Sequence, residues 1–311
     1  MPAHTVRDET DPSDDWVFLM GRPPMGAALS FIRESSVEGN LDLASLSDEW
    51  RAAHAHLRRL EKAETGLADD PPIAGLSEAL GPLEKKVLED PIFRSSYFMV
   101  PCRIAMIELD RLVVYQKHIN LAFVRKVQEA LGPDPSEELV FRTCLPYDHP
   151  MPRISSGRIS QNGFTFLSPS TDLRFLDAAL LRPEQLSGYN PPGPVAAVVG
   201  LFVGFGSNFL NVVHAERRLI LNNGSHRAYA LRDLGIRRVP CIVQEASDRE
   251  ELASLVAPDV FRQADRLLGS PRPPLLKDYF DPALRKVFRG KRKSRQVRLT
   301  FDVEQLDLPG R

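Results

Sequence analysis

Cysteine is scarce in this 311-residue chain: Cys102, Cys144 and Cys241 stand far apart, and none belongs to a Cys-x-x-Cys pair. Neither a disulfide framework nor a cysteine-bound zinc is indicated, and the three read as reduced, mostly buried thiols. No apolar run approaches the ~20 residues needed to cross a bilayer, so no membrane partner is expected. The first fifteen residues lack a basic stretch followed by an apolar one, which argues against a secretory leader and makes a cytoplasmic location the expectation. An excess of charge is missing as well: 40 Lys and Arg against 41 Asp and Glu leave a net charge of −1. No general attraction to nucleic acid or to anionic lipid follows. The familiar phosphate-binding loops are also lacking. Gly200, Gly204 and Gly206 lie in a strongly apolar run, but no Lys-Ser/Thr follows them and the strand-glycine-helix order is absent.

What is present is ordinary globular composition, 43% hydrophobic and 26% charged, sufficient for a substantial core. The stretch with the clearest organisation runs from Arg218 to Gly235. Leu219, Ile220 and Leu221 read as a buried strand, and Asn222, Asn223 and Gly224 tolerate the positive φ of a sharp turn. From Ser225 the period changes: Ala228, Leu231 and Leu234 share a helical face, and Gly235 stands where a helix is capped. A second strand follows at Val239-Pro240-Cys241-Ile242-Val243. The first helical turn holds His226 and Arg227 where acidic residues are usual, because free N–H groups there already carry partial positive charge. Cations in that place, with the Ser225 hydroxyl, form a phosphate cradle; alternatively Ser225 or Asn223 merely caps a surface helix.

Asn-Gly-Ser-His-Arg-Ala-Tyr-Ala, the helix ending at Leu234-Gly235, and Val239-Pro240 resemble the signature of the ParB/sulfiredoxin superfamily. Gly224, Arg227 and Ala230 fit its Gly-x-x-Arg-x-x-Ala core. The strand-like 100–112 and Tyr115-Gln116 resemble the opening strand and Gln-containing box of partition proteins. The resemblance implies an α+β fold, a mixed sheet with helices, and a nucleotide whose phosphates are held by Asn223, Gly224, Ser225, His226, Arg227 and Gln116. It implies ATP or CTP with Mg2+ as cofactors, and His226 and Arg227 as the residues acting on the phosphate. Ser225 stands where sulfiredoxins carry their reactive cysteine, so thiol repair chemistry is not implied. Asn223 and Gln116 stand near positions that are acidic in the related kinases, and an amide cannot take a proton. Glu108 and Asp110 are the substitutes to consider as a base.

Three divisions are expected: 1–95, a helical appendage with a disordered start; 96–246, the nucleotide-binding domain with a long insertion; and 247–311, a helical and basic extension. Within the first, residues 47–64 form the clearest helix. Its His54 and His56 point in different directions and cannot share a metal. Within the second, 120–131 reads as a helix closed by Gly132-Pro133 and 137–145 as a strand. Residues 173–181 read as a helix, and 197–213 as a hairpin turning near Gly204. His214 to Arg217 reads as a further hairpin turn. In the third, Arg285, Lys286, Arg289, Lys291, Arg292, Lys293, Arg295 and Arg298 form a basic run that is either a solvated face or a non-specific contact to DNA phosphates. No helix-turn-helix follows the nucleotide domain. The function expected is binding of a nucleotide with hydrolysis or transfer of its phosphate. The alternative is a non-catalytic, nucleotide-switched adaptor or a DNA-associated, partition-like protein.

Overall fold

The structure, a computed structural model, describes residues 13–116, 118–170, 172–185, 187–188, 190 and 193–308. The chain is α+β. In order it forms β1 (Ser13–Leu19), α1 (Met25–Ser35), α2 (Leu43–Ala63), β2 (Ile73–Ala74), α3 (Gly81–Glu89), α4 (Pro91–Ser96), β3 (Cys102–Glu108), β4 (His118–Asn120), α5 (Leu121–Leu131) and α6 (Glu137–Cys144). Then come β5 (Ser155–Ser160), β6 (Gly163–Ser168), β7 (Leu173–Leu181), β8 (Val198–Phe205), β9 (Asn211–Ala215), β10 (Arg218–Asn223), α7 (Ser225–Asp233) and β11 (Arg238–Glu245). The last elements are α8 (Arg249–Leu255), α9 (Pro258–Phe261), α10 (Ala264–Gly269), β12 (Arg285–Lys291) and β13 (Arg295–Thr300).

Two compact units result. The first runs to Asp148 and resumes at Asn208–Arg292. Its main sheet has the order β10-β9-β11-β3-β2, with β11 parallel to β9 and the other pairs antiparallel. Beside β10, Val113 extends this sheet through a parallel bridge to Ile220. A second sheet, β12-β1-β4, is built from both ends of the unit. The unit of His149–Ser207 with the residues from Lys293 onward holds a three-stranded sheet, β13-β6-β5, and the β7-β8 hairpin. That hairpin is apolar along both strands, and Leu180 and Val199 are 75% and 69% exposed.

These boundaries differ from the divisions expected at 95/96 and 246/247, and burial gives the reason. Val17 and Leu19 of β1, with Leu80, Leu83, Val87 and Phe93, lie in the same apolar cluster as Ile107, Leu221 and Ile242 of the main sheet. Residues within 13–95 therefore share a core with the main sheet. The expected disorder of residues 1–12 lies outside the described residues, whereas Ser13, Asp14 and Asp15 begin β1. Trp16 packs so closely that a Cβ on Gly290, across the β1–β12 pair, would lie 2.5 Å from its ring. A charged network also ties this half to the C-terminal part. Arg272, fully buried, grips both oxygens of Asp278 at 2.7 and 2.6 Å and reaches Glu64 at 2.8 Å, while Arg22 meets Asp278 at 3.1 Å.

Several elements depart from their sequence expectations. Residues 137–144 are helical: Ser136 caps Leu139 N–H and Glu137 and Glu138 occupy the first turn, a start signal that outweighs the β-branched and aromatic content after it. Residues 173–181 are the strand β7, because Leu173 to Leu181 pair with Phe205 to Val198. That pairing takes β8 away from the hairpin expected with 209–213, and β9 pairs instead with β10 and β11. Helix α2 starts one turn before Ser47, where Asp42 accepts from Ala44 and Ser45 N–H. The turn at Glu216 and Arg217 is present, both with positive φ, as a two-residue hairpin requires.

A chain beginning at Arg94 should lose its cooperative thermal transition, because β12 and β4 would then lack the strand between them. Circular dichroism across a melt checks this. A soluble truncation melting within a few degrees of the full chain would show that β1 and α1 to α4 are dispensable.

Candidate functional site

Strand β10 delivers Asn222 and Asn223 to the turn, and each amide is held. Asn222 Nδ2 donates to Leu255 O at 3.1 Å and Asn223 Nδ2 to Phe209 O at 3.1 Å. Tyr115 Oη donates to Asn222 O at 3.0 Å, fixing the backbone from another side. Gly224 follows with φ +97°, a conformation open to glycine at little cost. A side chain there would also meet Leu210 at 3.1 Å and Arg227 Nη2 at 3.3 Å. Helix α7 then begins at Ser225, and its N-cap residue, Gly224, has no side chain to cap the first N–H groups. The sequence expectation of strand, glycine turn and helix is what the structure contains.

His226 is neutral rather than cationic. Its Nε2 accepts from the backbone N–H of Asn120 at 3.0 Å, which places the ring proton on Nδ1. Burial, and then the neighbouring Arg227 charge, lower its pKa to about 4. Asn120 is itself the cap of α5, accepting from Ala122 N–H at 2.8 Å and donating to the buried Asp14 carboxylate at 2.9 Å. At the far ends of the same two helices Gln128 donates to Asp233 at 2.9 Å. Thus α5 and α7 run side by side in one direction, with their positive ends together. Asp14 offsets the end of α5, whereas the residue before α7 is a glycine with no side chain to do the same.

Arg227 is buried, and this alters its expected role. Its Nη1 donates to Thr143 O at 3.2 Å, to Cys144 O at 3.1 Å and to Asn208 O. Two of these are carbonyls in the last turn of α6, which have no acceptor duty inside their own helix. The guanidinium therefore fastens the turn to α6 and to the segment before β9, while Nη2 lies against Gly224. These contacts give Arg227 a structural role in the fold.

Gln116 is placed elsewhere. Its carbonyl accepts from Tyr279 Oη, and the residue lines a small cleft with Arg22, Tyr115, Gln263 and Arg266. Asp110 is spent on Arg232 at 2.9 Å and on Arg237, next to the C-terminal turn of α7, the opposite end from the cradle. Among the described residues no group of three or more His, Cys, Asp or Glu side chains converges as metal ligands. Cys144 and Cys241 are buried free thiols, and burial pushes Cys144 up to about 12. The basic run divides between the two units: Arg285 to Lys291 form β12, Arg295 and Arg298 lie in β13 of the other unit, Lys286 pairs with Glu49 at 2.6 Å and Arg292 with Asp14 at 3.5 Å. His54 Nδ1 donates to Gly21 O at 3.0 Å and the ring stacks on Trp50, a structural placement. His214 meets Glu245 at 2.6 Å across the β9–β11 pair.

Sequence reasoning missed Asp14, Asn120 and the carbonyls of Thr143, Cys144 and Asn208. Asn120, standing immediately before a helical run, carries a recognisable cap signal. Backbone carbonyls carry none. No protein-family model, characterised protein or solved structure matches the chain. No helix among the described residues is long and apolar enough to cross a membrane.

Arg227→Ala should lower stability by about 2–4 kcal/mol, since charge-assisted bonds to buried carbonyls are lost and their acceptors are left unpaired. Chemical denaturation measures this; an unchanged midpoint would show that the carbonyls find other donors. His226 gives a pH signature with a defined sign. Its folded pKa lies below the ordinary 6.5, so the unfolded chain takes up its proton first. The stability tied to the neutral ring is complete above about pH 6.5 and declines as pH falls toward 4. The slope between pH 7 and 5 should shrink in His226→Gln, and an identical slope in both proteins would refute the assignment.

Proposed function

We propose that the protein binds a nucleotide through its phosphates at the turn of Asn223, Gly224, Ser225 and His226, as a cytoplasmic relative of the ParB/sulfiredoxin superfamily, and hydrolyses or transfers the terminal phosphate. One observation supports this reading: the positive ends of α5 and α7 lie side by side, and where α5 is capped by Asn120, which donates to the Asp14 carboxylate, α7 is preceded by Gly224, which has no side chain to cap it. Uncapped N–H groups at the start of α7, the Ser225 hydroxyl and a glycine that lets a ligand approach the backbone form the donor set that phosphate oxygens need. Arg227 contributes by holding this turn rigid from within, and its Nη2 beside Gly224 adds positive charge below the cradle.

In this reading the chain's own residues bind and orient the phosphates, and the neutral His226 keeps the two helix starts in register. Mg2+ belongs to the proposal as the companion of ATP or CTP, where it would be held mainly by phosphate oxygens. Asp110 is set aside as a base by its place at the other end of α7.

The test uses a substitution that suits the helix and repels the ligand. Ser225→Glu puts a carboxylate in the first turn, where it should leave stability unchanged or raise it by about 0.3–1 kcal/mol. The nucleotide-induced rise in melting temperature, expected for the wild type with ATP or CTP and magnesium, should vanish in the variant. A wild type indifferent to every nucleotide, or a variant that still responds fully, would overturn the proposal. Phosphate release by the wild type separates an enzyme from a nucleotide-switched adaptor.

A further inference from the structure

A second site lies away from the turn. Residues Leu19, Arg22, Tyr115, Gln116, Gln263 and Arg266 line a cleft of about 50 Å³ in the first unit. By the measure in which one water needs ~10–15 Å³, this is room for about four or five small atoms, the size of a tetrahedral oxyanion. It is far too small for a nucleotide. Its polar groups are two guanidiniums, two amides and a phenol, with no carboxylate among the lining residues.

The charge count around it is unbalanced. Arg22, Arg272, Arg266 and Lys277 face two carboxylates, Asp278 and Glu64, and both of these are already engaged. Arg22 is 7% exposed and uses Nη1 on Arg272 O at 3.0 Å and Nη2 on Pro273 O and Asp278. Its Nε is buried and has no hydrogen-bond partner among the described residues. An orphaned N–H on a buried cation is costly and calls for an acceptor. Arg266 donates to Arg22 O at 3.1 Å and pairs with none of the described carboxylates. Burial, with the like charges of Arg272 and Arg266 and despite Asp278, lowers the pKa of Arg22 to about 10.

We infer that this cleft binds a small tetrahedral oxyanion, inorganic phosphate or the terminal phosphate of a small monoester, between Arg22 and Arg266, with the amide of Gln116 and the second N–H of Gln263, whose Nε2 also donates to Asp259 O at 3.0 Å, as further donors. Arg22 has both Nη groups engaged and offers Nε, whereas the guanidinium of Arg266, with one bond to Arg22 O, presents further planar N–H groups to the anion. Gln116 thus serves this cleft rather than the turn, although Tyr115 borders both, since its hydroxyl holds Asn222. The site stands independently of the nucleotide reading.

Thermal melts of the full chain in sodium phosphate, in glycerol 3-phosphate and in sodium chloride of matched ionic strength test the inference. Phosphate or the monoester should raise the melting temperature saturably where chloride does not, and the arm with the lower half-saturation identifies the source. Arg266 is exposed and donates only to one backbone carbonyl, so Arg266→Ala should melt like the wild type without ligand and weaken the phosphate response about tenfold. Arg266→Glu should abolish the response, and Gln263→Leu should weaken it. Ser225→Glu, at the turn, should leave it intact. A wild type that does not distinguish phosphate from chloride would overturn the inference, as would a response undiminished in Arg266→Glu or lost in Ser225→Glu.

Discussion

One guanidinium group inside the first unit joins three segments that sequence keeps apart. Arg227 Nη1 is shared by the carbonyls of Thr143, Cys144 and Asn208. The last turn of any helix leaves carbonyls without partners, and a buried helix end must find donors for them. Here the donor comes from the first turn of another helix. The C-terminal end of α6, which attracts cations, therefore meets an arginine beside the N-terminal end of α7, which by itself disfavours one. Placing the charge between the two ends satisfies the first and tempers the second, and it sets the distance between α6, α7 and the strand β9.

The other buried charges follow the same rule that a cation removed from water must meet oxygen atoms in fixed positions. Arg218 reaches Asp69 at 2.6 Å and Leu267 O at 2.9 Å, and Arg111 reaches the carbonyls of Leu67 and Asp69. Both pin the loop after α2 to the main sheet. Arg272 and Asp278 do the same for the segment after α10. Since many of the acceptors are main-chain carbonyls, these contacts constrain backbone position directly, which salt bridges between flexible surface side chains do not.

The parts of the fold legible in the sequence are those whose signals are local. The strand, glycine turn and helix of 218–235, the helix after Asn120 and the hairpin turn at Glu216 and Arg217 each announce themselves by period, cap or turn residues within a few positions. Leu173 to Leu181 do not: apolar residues interrupted at Arg174 and Asp177 have neither the period of a helix nor that of a strand, and a partner strand further along the chain decides the matter. Residues 137–144 were obscured by Val140, Phe141 and Thr143, whose strand preference is weaker than an N-cap with two acids behind it. For the candidate site, Gly224 and its neighbours were legible as chemistry. The surroundings that decide their state were not, because Asn120 and Asp14 meet across 106 residues of chain and Arg227 bonds to carbonyls that every residue possesses.

The β12-β1-β4 sheet has a consequence for the birth of the molecule. Strand β1 is the first described element to leave the ribosome, yet its neighbours are residues 118–120 and 285–291. At elongation rates of about 5–20 residues per second, the interval between the arrival of the two neighbours is on the order of ten to thirty seconds. Throughout that time one edge of β1 carries unpaired N–H and C=O groups beside Trp16 and Phe18, both destined for the interior. The nascent chain must keep that edge from other polypeptides until its own C-terminal region arrives to cover it.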